Sequence, residues 1–461
     1  MNQRAYHTTR ADLGLFTDLY ELTMAQTYFA QAMTAEATFD LFIRSYPPDR
    51  GYMVCAGLED TLDFLQGVSF GDGARQYLSE TGMFTPDFLD YLGDLRFTGS
   101  VRALPEGRIF FANEPILEVT APVIEAQLVE TLIINRLNLQ SLQATKAARC
   151  FWAAQGRVLS DFGARRAPGV DGALTMARSG YIAGFQSTSN VLAARRYGIP
   201  PAGTMAHSMI TSFPTELEAF RAYAGAFPQR TILLLDTYDT IEGARNAAQV
   251  GREMENDGHR LVGVRLDSGD YGELSRQVRQ ILDHAGLPYV QIVASGGLDE
   301  YEIHKLVRSG APIDIFGVGT RVGTSADAPY TDMSYKLSCY DGRPVMKLST
   351  DKISPPGAKQ VYRLRDGNGC FERDVVTLQD EQLPAGERLL QTVMEAGKKT
   401  RPEPALSDMR DRFTADFACL EDHFKQIVSP PRYPVTLSPA LQRLTSQVQG
   451  SLMEQQGVAE D

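Results

Sequence analysis

The stretch LVGVRLDSGDYGELSRQVRQILDHAGLPYVQIVASGGL, residues 261–298, contains two short apolar runs separated by an amphipathic segment. Apolar residues of that segment recur at helical spacing, and Gly286 and Pro288 then end the predicted helix. Each apolar run is too short for a helix and ends in small or polar residues. The strand–helix–strand order predicts parallel strands whose two faces are covered by helices.

The same alternation recurs through the middle of the chain. The runs that predict strands are RVLSDFG (157–163), GTMAHS (203–208), TILLLDTYD (231–239), LVGVRLDSGD (261–270), VQIVASGGL (290–298) and DIFGVGT (314–320). Six or more such units favour a closed α/β barrel, although an open doubly wound sheet stays possible on this pattern.

The flanking segments have a different character. We predict helices over 21–33 and 85–95, a strand over 37–44, two strands with a turn within 106–122, and a long interrupted helix over 123–154. After about residue 350 the chain is rich in turns and strands. The pattern divides the chain into a mixed α/β domain (1–140), an α/β barrel (141–350) and a C-terminal segment (351–461) whose polar tail, from about 445, is expected to fray.

Composition excludes several classes of protein. The net charge of −12 disfavours general binding to nucleic acid or a membrane surface. Five scattered cysteines without a CxxC pair disfavour a disulfide scaffold and a zinc ribbon. The first residues lack an apolar signal core, and no apolar run approaches the roughly 20 residues that span a bilayer. We therefore expect a cytoplasmic protein.

Chemically capable residues follow the predicted strands. In an α/β barrel the working side chains lie at the C-terminal ends of the strands. These positions hold Asp161, Phe162, Arg165, His207, Ser208, Asp236, Asp239, Arg265, Asp267, Asp270, Ser295, Gly296, Gly297, Gly317, Gly319 and Thr320. Charged, hydroxyl and glycine residues at so many equivalent ends are hard to explain by packing alone.

Two of the strand ends predict a phosphate site. SGGLDE (295–300) places two glycines before a predicted helix N-terminus, where free N–H groups and the helix dipole favour an anion. GVGT (317–320) gives two glycines and a hydroxyl at the end of the next strand. Either motif alone can simply close a turn, but together they point to phosphate.

Three further motifs are ambiguous when each is taken alone. In RLDSGD (265–270), Arg265 and Asp267 face the same side of a strand and suit a ligand, or form a structural ion pair. In DFGARR (161–166), Phe162 can stack on a flat ring or belong to the core. His207, in an apolar run, can be a packed residue, a metal ligand or a reactive group.

The order of the motifs resolves these alternatives, because the chain resembles the nicotinate phosphoribosyltransferase family. The resemblance is spread over most of the chain and rests on TDLYELTMAQTYF (17–29), FDLFIR (39–44), GLED (57–60), EGRIFFANEPILEV (106–119), SDFGARRA (160–167), GFQSTSNVLAARRYGIPPAGTMAHS (184–208), RLDSGD (265–270), SGGLDE (295–300) and PPGAKQVYR (355–363).

The resemblance implies a fold and a reaction. The fold is an irregular TIM-like α/β barrel of the type II phosphoribosyltransferases, with a second mixed α+β domain built from N- and C-terminal segments. The reaction joins nicotinate to 5-phosphoribosyl-1-pyrophosphate and releases nicotinate mononucleotide and pyrophosphate, a step of NAD biosynthesis. ATP hydrolysis is coupled to the transfer, as in a ligase, and Mg²⁺ accompanies the pyrophosphate. The alternative within this chemistry is a nicotinamide phosphoribosyltransferase.

The resemblance also implies residue roles. His207, in the AHS motif, would be phosphorylated by ATP. Phe162 would stack on one face of the pyridine ring, and Tyr20 of a partner subunit would cover the other, so the expected assembly is a homodimer with shared active sites. The remaining roles are carboxylate binding by Arg265 and Ser208, phosphoribosyl or pyrophosphate binding by Arg165, and ribose or Mg²⁺ binding, the latter through water, by Asp267.

The phosphate-binding and secondary positions complete the expected site. The 5-phosphate would be held by Gly296, Gly297, Gly319 and Thr320. Thr188 and Ser189 lie in a matching loop. Asp236 and Ser295 join the substrate-binding set from their strand-end positions.

Overall fold

In the computed structural model, which describes residues 10–348 and 354–456, the α-helices are α1 (Leu19–Ala30), α2 (Leu58–Gly67), α3 (Asp72–Glu80), α4 (Pro86–Asp94), α5 (Val123–Leu128), α6 (Glu130–Ala154), α7 (Gly169–Ile182), α8 (Val191–Tyr197), α9 (His207–Thr211), α10 (Glu216–Ala226), α11 (Thr240–Asn256), α12 (Tyr271–His284), α13 (Glu300–Arg308), α14 (Thr320–Gly323), α15 (Leu406–Cys419) and α16 (Pro439–Gln456). Short 3₁₀ helices cover Arg10–Leu15, Ala164–Arg166 and Asp422–Lys425.

The strands are β1 (Glu36–Ile43), β2 (Met53–Val54), β3 (Ser100–Ala103), β4 (Ile109–Phe110), β5 (Leu117–Pro122), β6 (Val158–Asp161), β7 (Ser187–Thr188), β8 (Ile232–Leu234), β9 (Gly263–Leu266), β10 (Gln291–Ser295), β11 (Ile315–Val318), β12 (Met333–Tyr340), β13 (Arg343–Pro344), β14 (Lys359–Arg365), β15 (Phe371–Leu378), β16 (Glu387–Arg388), β17 (Gln391–Glu395), β18 (Lys398–Lys399) and β19 (Val435–Leu437). None of the described helices is long and apolar enough to cross a membrane.

Two units make up the chain. The first contains the described residues of Met1–Ser141 and Tyr330–Asp461, and the second is Leu142–Pro329. The first unit holds a seven-stranded antiparallel sheet in the order β13-β12-β1-β5-β3-β17-β18, a four-stranded sheet in the order β16-β14-β15-β19, and the pair β2-β4. Segments from both ends of the chain are therefore woven into the same sheets.

The second unit is a mixed α/β unit around a six-stranded parallel sheet in the order β7-β6-β11-β10-β9-β8. Strands β8 and β11 are apolar along their length, as expected for parallel strands that are covered on both faces. Helix α12 has the predicted character: the Asp270 side chain accepts a hydrogen bond from the Glu273 N–H, and Val278 and Leu282 are buried. Gly286, with φ of 78°, ends the segment in the left-handed region.

The prediction of a closed barrel is wrong for the described residues. The six strands follow one another in the order expected around a barrel, but the two edge strands, β7 and β8, do not pair with each other. The run GTMAHS (203–208), predicted as a strand, lies in this gap. It has no strand pairing, and its last residues begin the short helix α9. An apolar run forms a strand only where a neighbouring strand offers free backbone groups. Just before this run, the segment makes a single isolated bridge, between Pro201 and Thr188.

Most predictions for the flanking segments are confirmed, with shifted ends. The helix expected over 21–33 is α1, the strand over 37–44 is β1, and the long interrupted helix is α5 and α6, which break at Val129. The two strands expected in 106–122 form, but β4 pairs with β2 whereas β5 pairs with β1 and β3. The prediction that the chain frays from about residue 445 is wrong as far as Gln456, because α16 continues to that residue.

Candidate active site

The candidate site lies at the C-terminal edge of the six-stranded sheet. Parallel strands bring their carboxyl ends to one edge, and the register aligns them: Asp161 of β6 is opposite Val318, and Gly317 of β11 is opposite Ser295 of β10. Arg265 of β9 is opposite Leu234 of β8. The strand-end residues selected from the sequence on these strands therefore share one edge.

Phe162 follows β6 and rests on the neighbouring strand. Its N–H donates to the Val318 carbonyl at 2.8 Å. A Cβ added to Gly317 would lie 2.6 Å from the Phe162 ring, so only glycine allows the ring this position. The ring is partly exposed. A flat, partly exposed aromatic ring at the sheet edge is suited to stacking on a planar ligand.

Asp161 organises the loop after β7. Its Oδ1 accepts the Gly163 N–H and its Oδ2 accepts the Thr188 hydroxyl, each at 2.7 Å, while its carbonyl accepts the Ser189 N–H. Burial raises the pKa of Asp161. Thr188 is buried and Ser189 is exposed. Thr188 is therefore a structural partner of Asp161 in this geometry, whereas Ser189 is open to a ligand.

Arg265 is a largely buried cation at the edge. Its guanidinium donates to the Thr204 hydroxyl and, at 3.1 Å, to the Met205 carbonyl. Nη2 is 3.7 Å from Asp267 Oδ1, and the buried Nε has no hydrogen-bond partner among the described residues. Burial lowers the pKa of Arg265, but a guanidinium stays charged in proteins. An anchored cation at the sheet edge suits an anionic ligand.

His207 begins α9 and faces two strand ends. Its Nδ1 is 3.0 Å from the Thr237 hydroxyl, and its Nε2 is 3.9 Å from Asp267 Oδ2. The ring is 42% exposed, which excludes the reading of a packed core residue. Ser208, the next residue, is exposed. The imidazole is held from one nitrogen and is accessible, as a reactive group requires.

Asp267 and Asp236 supply carboxylate oxygens at adjacent strand ends. The Ser295 hydroxyl donates to Asp267 Oδ1. Asp236 Oδ2 accepts the Asp267 N–H at 3.2 Å and the Ser268 hydroxyl. Asp236 Oδ1 is buried without a hydrogen-bond partner among the described residues. An orphaned carboxylate oxygen beside a second, 30% exposed carboxylate fits the oxygen ligands that Mg²⁺ prefers, with water completing its shell.

The glycine motifs differ in one respect from the sequence prediction. Helix α13 begins at Glu300, and Asp299 Oδ1 accepts the Tyr301 and Glu302 N–H groups. The first turn of α13 therefore already holds a carboxylate, and an anion is left with the N–H groups of the glycine loop itself. Gly296 and Gly297 have φ of 95° and 67°.

Gly319 and Thr320 lie close to the loop after β6. A Cβ on Gly319 would lie 2.7 Å from the Phe162 carbonyl, and Thr320 begins α14. Arg165, in the 3₁₀ turn, is exposed, and Arg166 Nη1 is 3.4 Å from the Thr320 hydroxyl. Positive charge therefore borders the second glycine motif.

Two strand-end aspartates are helix caps. Asp239 accepts the Ile241 and Glu242 N–H groups at 2.9 Å, and Asp270 caps α12. Their side chains are used by the first turns of the helices that follow. We therefore leave both out of the candidate site.

Tyr20 belongs to the first unit and is 46% exposed near the start of α1. The next residue, Glu21, is fully buried and accepts hydrogen bonds from the Thr17 and Thr131 hydroxyls. Burial, followed by the charge of Glu130, raises the pKa of Tyr20, so the phenol stays neutral. The anchored glutamate fixes the helix start and leaves the Tyr20 ring exposed.

Sequence patterns did not single out three residues of this edge. Thr204 and Thr237 hold Arg265 and His207, and Tyr271 contacts the loop after β10. Thr237 lies next to Asp236 at a predicted strand end, so that signal was present. The contacts of Thr204 and Tyr271 join segments distant in sequence and leave no local pattern.

The chain is similar to known proteins over most of its length. It matches the family models described as the N-terminal domain (15–138), the family (158–352) and the C-terminal domain (385–445) of nicotinate phosphoribosyltransferase. It is 46% identical to the nicotinate phosphoribosyltransferase pncB2 of Mycobacterium tuberculosis, covering 92% of this chain and 91% of that protein. The Bacillus subtilis nicotinate phosphoribosyltransferase is 38% identical, with 92% and 93% covered. The crystal structure of human nicotinic acid phosphoribosyltransferase superposes with a TM-score of 0.85 at 31% identity, covering 94% of this chain and 99% of that one.

Proposed function

The chain belongs to the nicotinate phosphoribosyltransferase family, and from this premise we propose how the residues at its strand edge carry out the transfer. The function is synthesis of nicotinate mononucleotide from nicotinate and 5-phosphoribosyl-1-pyrophosphate in NAD salvage. The observation that carries the proposal is the meeting of Arg265, Asp267 and His207 at one sheet edge. The proposed details are ATP coupling, Mg²⁺, a shared dimeric site and each residue role.

Nicotinate is bound as a flat anion. The Phe162 ring, seated on Gly317, stacks on one face of the pyridine. Arg265 donates to the carboxylate, and its anchoring by Thr204 and Met205 reduces the entropy lost on binding. Ser208 adds a hydroxyl donor. Because nicotinamide is neutral, it gains less from a buried cation, so this arrangement favours nicotinate.

The phosphoribosyl donor occupies the neighbouring strand ends. The loop N–H groups at Gly296 and Gly297, with Gly319 and Thr320, hold the 5-phosphate, and Ser295 and Ser189 border the ribose. Arg165 faces the pyrophosphate. Asp267 and Asp236 would hold Mg²⁺, whose chemistry here is to neutralise the charge of the pyrophosphate.

Catalysis of the transfer needs positioning and charge stabilisation. The pyridine nitrogen forms a bond to the anomeric carbon while the bond from that carbon to the pyrophosphate oxygen breaks. Phe162 and Arg265 aim the nitrogen, and the glycine loop fixes the sugar from its phosphate end. Arg165 and Arg166 stabilise the charge on the departing oxygen. No side chain has to attack the sugar.

His207 carries the energy coupling. An imidazole nitrogen attacks the γ-phosphorus of ATP, the bond between that phosphorus and the ADP oxygen breaks, and ADP leaves. Thr237 holds Nδ1, and Asp267 faces Nε2 and can stabilise a positive ring. Water later takes the phosphoryl group from the histidine. This step makes the enzyme an ATP-dependent ligase.

The test is an assay of the purified protein with 5-phosphoribosyl-1-pyrophosphate and Mg²⁺, with nicotinate or nicotinamide, with and without ATP. We expect nicotinate mononucleotide by mass, in greater yield with ATP. If product forms only from nicotinamide, the activity is that of a nicotinamide phosphoribosyltransferase. Yield independent of ATP would remove the coupling part of the proposal and leave the transfer.

A further inference from the structure

The loop after β10 has an unusual backbone. Gly296 and Gly297 are consecutive residues in the left-handed region, with φ of 95° and 67°. A Cβ on Gly296 would lie 2.2 Å from the Asp267 carbonyl oxygen and 2.9 Å from the Tyr271 hydroxyl, whereas a Cβ on Gly297 would meet nothing within 4 Å. Gly296 is therefore packed against the end of β9 and the start of α12, and Gly297 is open on its Cβ side.

Tyr271 fastens this loop from one side. Its hydroxyl oxygen is 2.5 Å from the Ser295 carbonyl oxygen and 2.9 Å from the Gly296 carbonyl oxygen. Tyr271 is the first residue of α12, and Asp270 caps that helix, so the ring begins from a fixed point. One phenol O–H therefore serves two successive carbonyl groups.

The contact of Tyr271 with the two carbonyl groups fixes the directions of the Gly296 and Gly297 N–H groups. The described chain contains no cis peptide bond, and in a trans peptide the C=O and the following N–H point in opposite directions. The Ser295 carbonyl shares a peptide with the Gly296 N–H, and the Gly296 carbonyl with the Gly297 N–H. Because both carbonyls face Tyr271, both N–H groups face away from it.

Two successive N–H groups turned to the same side form a concave site for an anion. Within the described part of the chain, neither the Gly296 N–H nor the Gly297 N–H donates to another residue. Both glycines are exposed, so the two amides are open to an acceptor that arrives from solvent. The acceptor that fits is an oxygen of a phosphate monoester.

We propose that Tyr271 is a positioning residue for the 5-phosphate of the phosphoribosyl donor. Its hydroxyl holds the Ser295–Gly297 loop in the conformation that presents the two amides, and it does so without touching the substrate. The inference rests on the proposed function for its ligand. It adds a residue outside the glycine motifs on which phosphate affinity depends.

The decisive variant is Tyr271→Phe, which keeps the ring and removes the hydroxyl. Losing a hydrogen bond of roughly 1 kcal/mol corresponds to about a fivefold change in affinity. We expect the KM for 5-phosphoribosyl-1-pyrophosphate to rise about fivefold to tenfold. The KM for nicotinate and kcat at saturating donor should change less than about twofold. A residue with only a structural role would lower stability without this split.

Tyr289→Phe is the matched control. The Tyr289 hydroxyl donates to Glu255 Oε1 at 2.9 Å, so this change also removes one phenol hydrogen bond within the second unit. Tyr289 makes no hydrogen bond to the loop after β10. Its variant should keep wild-type KM values for both substrates, and a rise like that of Tyr271→Phe would overturn the inference.

Binding of ribose 5-phosphate, measured by calorimetry, separates this inference from the proposed function. Weaker binding by Tyr271→Phe, with unchanged nicotinate binding, supports the inference. Equal binding by the wild type and Tyr271→Phe overturns it, whatever the turnover. If the wild type makes no nicotinate mononucleotide, the proposed function fails, yet the same binding comparison still decides the role of Tyr271 toward a phosphate monoester.

Discussion

At the scale of single residues, Asp267 connects the parts of the candidate site. The Ser295 hydroxyl donates to its Oδ1, Arg265 Nη2 is 3.7 Å away, and His207 Nε2 is 3.9 Å away. One carboxylate thus faces the cation assigned to nicotinate and the histidine assigned to ATP. This arrangement offers a physical route by which phosphorylation of His207 changes the charge felt by the transfer site.

His207→Ala tests the separation of the two reactions. The variant should lose ATP hydrolysis and the acid-labile phosphoprotein, because the nitrogen proposed to accept the phosphoryl group is gone. Transfer without ATP should survive within about tenfold of the uncoupled wild-type rate, since no step at the sugar uses the imidazole. Radiolabelled ATP and product mass measure the two activities.

His284→Ala is the control for this prediction. His284 lies in the last turn of α12, exposed, with Nδ1 2.7 Å from the Gln280 carbonyl. Its loss should leave both activities at wild-type levels. ATP hydrolysis that persists in His207→Ala would refute the assignment of His207.

At the scale of elements, the contact between Gly317 of β11 and the loop after β6 sets the Phe162 ring. Gly317→Ala should displace the ring, because the new Cβ would lie 2.6 Å from it. We expect the nicotinate KM to rise about tenfold, with a much smaller effect on the KM of the phosphoribosyl donor. Steady-state kinetics with each substrate varied in turn measures the difference.

Gly225→Ala serves as the control substitution. Gly225 lies in α10 with no atom within 4 Å of an added Cβ, and alanine favours a helix. This variant should be at least as stable as the wild type, with unchanged kinetics. Equal effects of Gly317→Ala on both substrates would argue against stacking by Phe162.

A second prediction concerns the antiparallel sheet of the first unit. Glu118 of β5 is buried between Asp40 of β1 and Arg102 of β3, which are its register partners, and the Lys359 N–H donates to its Oε2. Burial and the charge of Asp40 raise the pKa of Glu118 to about 7. The fold therefore favours the protonated acid.

The sign of the pH effect follows from this raised pKa. The stabilising contribution of protonated Glu118 is complete below the unfolded pKa of about 4.3 and is lost as the pH rises through about 7. Glu118→Gln cannot titrate. Relative to the wild type, it should gain at most about 3 kcal/mol in unfolding free energy between about pH 5 and pH 8.

Urea unfolding of both proteins across that range measures the gain. The exposed Glu80→Gln on α3 should follow the wild type at every pH. A constant difference between Glu118→Gln and the wild type would mean that Glu118 is ionised throughout.

The sequence predicted the individual strands better than it predicted whether their sheet closes into a barrel. Apolar runs located β6, β8, β9, β10 and β11, because burial on both faces requires apolar side chains whatever the partner. The same signal failed at 203–208, where no neighbouring strand is available. The candidate residues at strand ends were found because parallel strands place their C-terminal ends at the same edge of the sheet. Tyr271 was missed because its role arises from contacts to Ser295 and Gly296, more than twenty positions away.

At the scale of the whole molecule, mixed dimers of two variants test the proposal that each active site is shared between two subunits. Tyr20→Ala and Arg265→Ala subunits should each bind nicotinate poorly. In a mixed dimer, one site would combine an intact Arg265 with an intact Tyr20 from the partner. Random mixing gives about half mixed dimers, each with one working site, so about a quarter of wild-type activity should return.

The assay is turnover at low nicotinate after unfolding and refolding the two variants together. Either variant refolded alone should stay at its own low activity. If the mixture has only the average activity of its components, Tyr20 acts in its own subunit or not at all.

If one sheet edge binds all parts of nicotinate mononucleotide, a crystal structure of the protein with this product will show each part there. We predict the pyridine ring on Phe162, the carboxylate at Arg265 and the 5-phosphate on the Gly296 and Gly297 amides. A product molecule bound elsewhere, or bound here with its phosphate away from the glycine loop, would show that this edge is not the nicotinate mononucleotide site.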